Sequence, residues 1–213
     1  MYPILEAKKL ADKIYLMVVK APRISANCKP GEFVIVKMDE KGERIPLTIC
    51  DYDREKETIT IVFQTVGAST ERMSALQAGD SFRDVVGPLG NPSDFVKEDI
   101  EELKKKKIVF VAGGVGAAPV YPQVKWMHEH GIDVDVVVGV KNHEMLILED
   151  EMKAVAACVL GGISLSGGVG SVIGSSVGAI IMASISRLLV FMGFGSTYDN
   201  AITGIMLIVI VVA

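Results

Sequence analysis

The sequence predicts an antiparallel β-barrel, then an α/β unit with parallel strands, then apolar helices of the transmembrane type. Three observations predict it. Short alternating strands separated by turn residues fill the first hundred positions. The run Ile108-Val109-Phe110-Val111-Ala112-Gly113-Gly114-Val115-Gly116-Ala117-Ala118-Pro119 reads as strand, glycine turn and helix start. Beyond Lys153 charge almost vanishes. Of 22 basic and 26 acidic residues only Arg187 and Asp199 lie there, while the last 60 residues hold ten of the 21 glycines.

In chain order, the barrel strands are expected at Pro3–Lys9, Lys13–Lys20, Glu32–Met38, Ile45–Cys50 and Thr58–Val66. Turn-rich stretches such as Lys29-Pro30-Gly31 and Asp39 to Gly42 part them. Thr70 to Gln77 follows as a short helix capped by Thr70. Phe82 to Val86 is a further strand, closed by Gly87-Pro88-Leu89-Gly90. Two stretches exceed what a barrel needs. In Arg44-Ile45-Pro46-Leu47-Thr48-Ile49 a forked cation and a hydroxyl straddle an apolar strand, a pairing that suits a phosphate and a flavin ring edge. An edge strand with a solvated arginine is the alternative. In Gly67-Ala68-Ser69-Thr70, running into the helix, backbone N–H groups and hydroxyls form a cradle for an anion. A plain N-cap is the alternative there.

Residues 108–111 are apolar and mostly β-branched or aromatic, which predicts a strand buried on both faces. The glycines allow a sharp turn with bare N–H groups. Ala117 to about His130 carries a helical pattern, and Pro119 is tolerated in a first turn whose N–H groups have no partner. Free N–H groups and the helix dipole together favour phosphate. Val134 to Val140 completes one β-α-β unit. The spelling is G-x-G-x-x-P, and a turn without a ligand is the alternative. Glu101 and Glu102 are placed to form i,i+4 pairs with the Lys104 to Lys107 run. His128, His130 and His143 are expected on the surface.

A net charge of −4 argues against a nucleic-acid platform. Cys28, Cys50 and Cys158 contain no C-x-x-C pair, so no metal or iron–sulfur site is signalled. Their odd number and wide spacing suit a reducing cytoplasm. Met1 to Ala11 lacks an apolar core and is not a signal peptide.

Six motifs stand in one order: Pro30-Gly31-Glu32-Phe33-Val34, Arg44 to Ile49, Gly67 to Thr70, Gly79-Asp80, Gly87 to Gly90 and Gly113 to Pro119. Over about Met1 to Ala156 they resemble the ferredoxin–NADP reductase superfamily. Within it the likeness is to the small subunit of NADPH-dependent ferredoxin oxidoreductase (sulfide dehydrogenase type) and to the dihydroorotate dehydrogenase electron-transfer subunit. The resemblance implies FAD in a barrel of residues 1–99, with Arg44, Pro46, Leu47 and Thr48 along the flavin and its phosphates. It implies that Gly67, Ser69 and Thr70 hold the pyrophosphate. Gly113, Gly114, Gly116, Ala118 and Pro119 would hold the phosphates of NAD(P)H in a Rossmann-like domain of residues 100–156. Hydride would pass from nicotinamide C4 to flavin N5, with no proton-shuttling side chain. A larger catalytic subunit or ferredoxin would be the partner. With one β-α-β unit and the segment Lys141 to Ala156, the nucleotide domain is expected to be truncated and hydride transfer impaired.

Past Ala156 the text changes. The stretch 157–213 opens on a glycine-rich run and continues with Val172 to Phe191, 20 residues, enough for one membrane-spanning helix. Gly174, Gly178, Ala179 and Ala183 form a small-residue face, and Ile202 to Ala213 is half a span. This segment resembles the C-terminus of ribose-type sugar ABC transporter permeases. The expectation is therefore a cytoplasmic reductase module joined near Val155 to Cys158 to a membrane anchor. A permease fragment and a non-functional chimera are the alternatives, and a buried helical pair of a soluble domain is a further reading of the tail.

Overall fold

The fold was read from a computed structural model that describes residues 1–140 and 142–161, with the backbone alone for 157–161. Seven strands form the first sheet: β1 (Tyr2–Ala11), β2 (Ile14–Lys20), β3 (Phe33–Lys37), β4 (Ile45–Asp53), β5 (Thr58–Gln64), β6 (Ser81–Phe82) and β7 (Asp84–Leu89). Their spatial order is β6-β1-β2-β5-β4-β3-β7, antiparallel at every pairing. Phe82 and Asp84 are two residues apart yet lie on opposite edges of that order. Two residues span about 7 Å at most, so the sheet must roll until its edges nearly meet. The expected barrel strand Phe82 to Val86 is thus two strands, broken at Arg83. There the backbone N–H donates to the Met38 carbonyl at 3.1 Å instead of continuing either ladder.

Alternation fills the interior. Ile59, Ile61 and Phe63 point inward from β5, meeting Ile4, Met17, Val19, Val34, Val36, Ile49 and Phe82 in one buried core. Val62, on the opposite face of β5, belongs to a second core outside the barrel wall. Two short helices attach to the barrel. The first, α1 (Pro22–Asn27), has no counterpart in the sequence reading; proline opens it, and Ile24 and Ser25 are its buried residues. The second, α2 (Ala68–Ser74), begins two residues before the expected Thr70, with Gly67 as N-cap. Thr70 is its third helical residue.

The second sheet is parallel, in the order β10-β9-β8, from β8 (Ile108–Gly113), β9 (Val134–Gly139) and β10 (Ala157–Gly161). Between them run α4 (Ala117–Glu129) and α5 (Glu149–Val155), after α3 (Ile100–Lys104) has led in from the barrel. The single β-α-β unit expected from the sequence is therefore two successive crossover units. Ala157-Cys158-Val159-Leu160-Gly161 pairs residue for residue with Asp135 to Gly139, so the chain continues into the sheet across the expected join. The parallel unit does not stop at Ala156.

The expectation of a strand buried on both faces fails for β8. Ala112 packs with Val134, Val136, Val138 and Met152 around α4, whereas Val109 is 43% and Val111 73% exposed. Among the described residues helices cover one face of β8, so alternate residues are the ones buried. The lysine run also differs. Lys104 pairs with Glu101 at 2.8 Å and Lys105 with Glu102 at 2.6 Å, both i,i+3, while Lys106 reaches back to Glu98. A five-residue helix is too short for the expected i,i+4 ladder. Among the described residues no helix is long and apolar enough to cross a membrane. The expected membrane helices, Gly-rich run and permease resemblance lie outside the described residues.

Candidate functional site

Strand β4 organises the site. Val36↔Ile45, Ile35↔Pro46, Val34↔Leu47 and Phe33↔Thr48 are its pairs with β3. Alternation sends Ile45, Leu47 and Ile49 to the barrel core and leaves Arg44, Pro46 and Thr48 on the outward face. Of the four residues expected along the flavin, three therefore share one open row, and Leu47 is packed behind them. The same row continues to Cys50, which is buried in the second core with Tyr121 of α4. Burial pushes the Cys50 thiol and the Tyr121 hydroxyl above their ordinary ranges.

The Gly67–Thr70 segment comes to the start of that row. The Ser69 hydroxyl donates to the Glu43 carboxylate, next in sequence to Arg44. Arg44 Nη1 in turn meets Asp84 Oδ2 at 3.4 Å, reaching over β3 to the head of β7. Thr70 is otherwise engaged. Its hydroxyl donates to the Gly67 carbonyl at 2.9 Å and accepts from the N–H groups of Val66 and Gly67 at 3.0 and 3.2 Å. Thr70 thus ties down the turn, while the Ser69 hydroxyl reaches across to Glu43. Two more ion pairs fix the loop before Glu43. Arg72 meets Asp39 at 2.6 Å and Arg83 meets Glu40 at 3.0 Å. The Arg72 hydrogen bond holds the Asp39 carboxyl below the usual carboxylate range.

The glycine turn gathers Gly113, Gly114, Gly116, Ala118 and Pro119 at the C-terminal end of β8. Gly114 has φ +54°, a left-handed conformation that favours glycine. A Cβ at Gly114 or Gly116 would meet nothing within 4 Å, so the space above the turn is open. No side chain caps α4. Ala118 is buried at 3% exposure, the Ala117 N–H is bonded to the Gly114 and Val115 carbonyls, and Pro119 has no N–H to give, so the open donors are those of the glycine turn itself. Sequence reading missed Pro122, buried inside α4, which frees the Ala118 carbonyl from its helical partner.

It also missed what joins the two sheets. Lys125 of α4 donates to Asp51 Oδ1 of β4 at 2.6 Å, with side chains 26% and 29% exposed. The same ammonium lies 5.7 Å from the Tyr52 ring centroid. Lys125→Met is expected to lower stability by about 1–3 kcal/mol, between the values for exposed and fully buried pairs. That corresponds to a Tm roughly 2–12 °C lower in thermal unfolding. Asp51→Asn/Lys125→Met should lose less than the two single changes together; strict additivity would mean the pair is not coupled.

No family model matches the chain. A Clostridium beijerinckii protein from the adh 3′ region is 61% identical over 156 residues, covering 73% of this chain and 53% of that one. A Thermotoga maritima homolog of the dihydroorotate dehydrogenase B (NAD(+)) electron transfer subunit is 37% identical over 157 residues, covering 74% and 53%. The structure of an NADH-dependent reduced ferredoxin-NADP oxidoreductase superposes with TM-score 0.68 at 31% identity, covering 88% of this chain and 63% of that one. The chain spans about half the length of the curated relatives it matches. The chain is similar in sequence to dihydroorotate dehydrogenase electron-transfer subunits and has a ferredoxin–NADP reductase-like fold.

Proposed function

We propose that the chain is the FAD- and NAD(P)H-binding part of an electron-transfer oxidoreductase. Residues 1–99 would hold the flavin, and the unit from residue 100 onward the nicotinamide nucleotide. The carrying observation is the outward row of β4. It starts at exposed Arg44, runs through exposed Pro46 and half-buried Thr48, and ends at Cys50 under α4. One strand thereby links a phosphate-binding cation and hydroxyl to the helix whose N-terminus carries the open glycine turn. The residues fit both groups. Arg44, Thr48 and Ser69 offer donors at an exposed face, and at Gly67, Gly114 and Gly116 a Cβ position is clear to 4 Å.

When bound together, the cofactors supply the chemistry: hydride moves between nicotinamide and flavin. The protein's part is to bind and orient. The Arg44 fork would take a flavin phosphate, the Pro46 and Thr48 edge would lie along the ring, and the backbone N–H groups of the Gly113–Gly116 turn would take the nucleotide phosphates. A larger catalytic subunit or ferredoxin would accept the electrons, as the names of the relatives suggest.

The test is reconstitution of the full chain with excess FAD. A yellow protein with quenched flavin fluorescence is expected; a colourless one would sink the reading. Nucleotide preference gives a further prediction. An acidic residue at the end of the second parallel strand would bind the ribose hydroxyls of NAD, but Val140-Lys141-Asn142-His143 carries none. Lys141 lies outside the described residues. Asn142 accepts from the Met145 N–H at 3.2 Å, so its carbonyl is already used. NADPH should therefore reduce the flavin-loaded protein at a lower concentration than NADH. An equal or lower requirement for NADH would end that preference.

A further inference from the structure

Resting on the flavin reading, we propose that Glu43 and Asp84 are built-in competitors for the flavin phosphates, and so set how tightly the site holds its cofactor. The two donors best placed for a phosphate are both engaged by carboxylates of the chain itself. The Ser69 hydroxyl donates to Glu43, and Arg44 meets Asp84 at 3.4 Å. Glu43 and Arg44 are adjacent in sequence, so both contacts fall at the head of β4. Glu43 is at the end of the β3–β4 loop, which two further ion pairs hold in place, Arg72 with Asp39 and Arg83 with Glu40. The loop thus delivers a carboxylate to the hydroxyl that a phosphate oxygen would otherwise accept from.

A carboxylate and a phosphate oxygen are both anionic acceptors and cannot share one hydroxyl proton. Binding a diphosphate therefore requires Ser69 to leave Glu43 and Arg44 to leave Asp84. The displaced carboxylates remain nearby and repel the incoming charge. Removing one carboxylate frees a donor and relieves repulsion of a diphosphate that carries two charges, so it should tighten binding roughly tenfold. The effect belongs to the phosphates alone. A flavin without phosphate makes no demand on Ser69 or Arg44.

The experiment is a fluorescence titration of full-length wild type, Glu43→Gln and Asp84→Asn with FAD and with riboflavin. Each variant should bind FAD roughly tenfold more tightly than wild type and leave riboflavin unchanged. Unchanged FAD affinity in both variants, or an equal shift for FAD and riboflavin, overturns the competition. Circular dichroism melting separates a misfolded variant from an informative one, and Glu43→Ala repeats the test by removing the acceptor altogether. If neither wild type nor any variant binds either flavin, the flavin reading itself fails, an outcome distinct from flavin binding that ignores Glu43 and Asp84.

Discussion

Arg44→Ala is expected to weaken FAD binding by about ten- to a hundredfold in a fluorescence titration. A hydrogen bond to a charged group contributes about 1.5–3 kcal/mol, which is that range in affinity. Arg44 has the reach and the freedom for the contact: its side chain is 56% exposed, and its one ion pair, with Asp84, is loose at 3.4 Å. The substitution also leaves Asp84 unpaired beside the site, adding a bare negative charge where phosphate must come. Arg44→Lys should recover part of the loss but not all of it, because a point charge does not replace a bidentate fork. A change below threefold for Arg44→Ala would mean that the guanidinium does not touch the cofactor. Protein stability should barely move, since the residue is exposed and its ion pair is of the surface kind.

Period-two patterning made most of the barrel legible. Where one face is buried, alternation records it directly, as in Ile59, Ile61 and Phe63 against the barrel core. The breaks are where local pattern carries no information. Phe82 to Val86 reads as one strand, and only the closing of the sheet assigns its two ends to opposite edges. In β8 the run of apolar residues gives no hint that Val109 and Val111 face outward, because exposure depends on which helices cover the sheet. The third parallel strand was hidden by composition: the loss of charge after Lys153 begins just before residues that pair with β9.

For the site, the glycine turn and the Arg44 row were legible because backbone conformation and donor type are local properties. Leu47 was placed with the row, and alternation puts it behind. The carboxylates were not legible. Glu43 lies 26 residues from Ser69 and Asp84 lies 40 from Arg44, separations across which sequence has no periodicity to read. Asp51 and Lys125, 74 residues apart, meet only because α4 lies on the outward face of β4. Long-range charge pairing is a product of the fold, and the Lys125–Asp51 bond is the part of it that holds α4 to the barrel.

The largest loss of stability is expected from Phe82→Ala. Strand β6 has only two residues, and its pairs Tyr2↔Phe82 and Pro3↔Ser81 join it, as the edge strand, to β1. Two ladder positions are a weak closure by themselves. What holds the edge is the Phe82 ring, 0% exposed among Ile4, Met73, Val85 and the inward residues of β5. Removing a buried phenyl ring costs about 3–5 kcal/mol through lost burial and the cavity left behind. For a chain of this size that lowers Tm by roughly 6–20 °C. Phe82→Leu keeps most of the volume and should cost less than about 1.5 kcal/mol. Val111→Ala, at 73% exposure, should stay within about 0.5 kcal/mol of wild type. The closure also sets where β7 begins, because Asp84 follows Phe82 by two residues and pairs with Lys37 of β3. Phe82→Ala should therefore weaken FAD binding even well below its melting temperature, by loosening the barrel wall of β3 and β4 that carries Arg44. A Tm shift under about 2 °C, with FAD affinity unchanged, would show that the barrel closes without this ring.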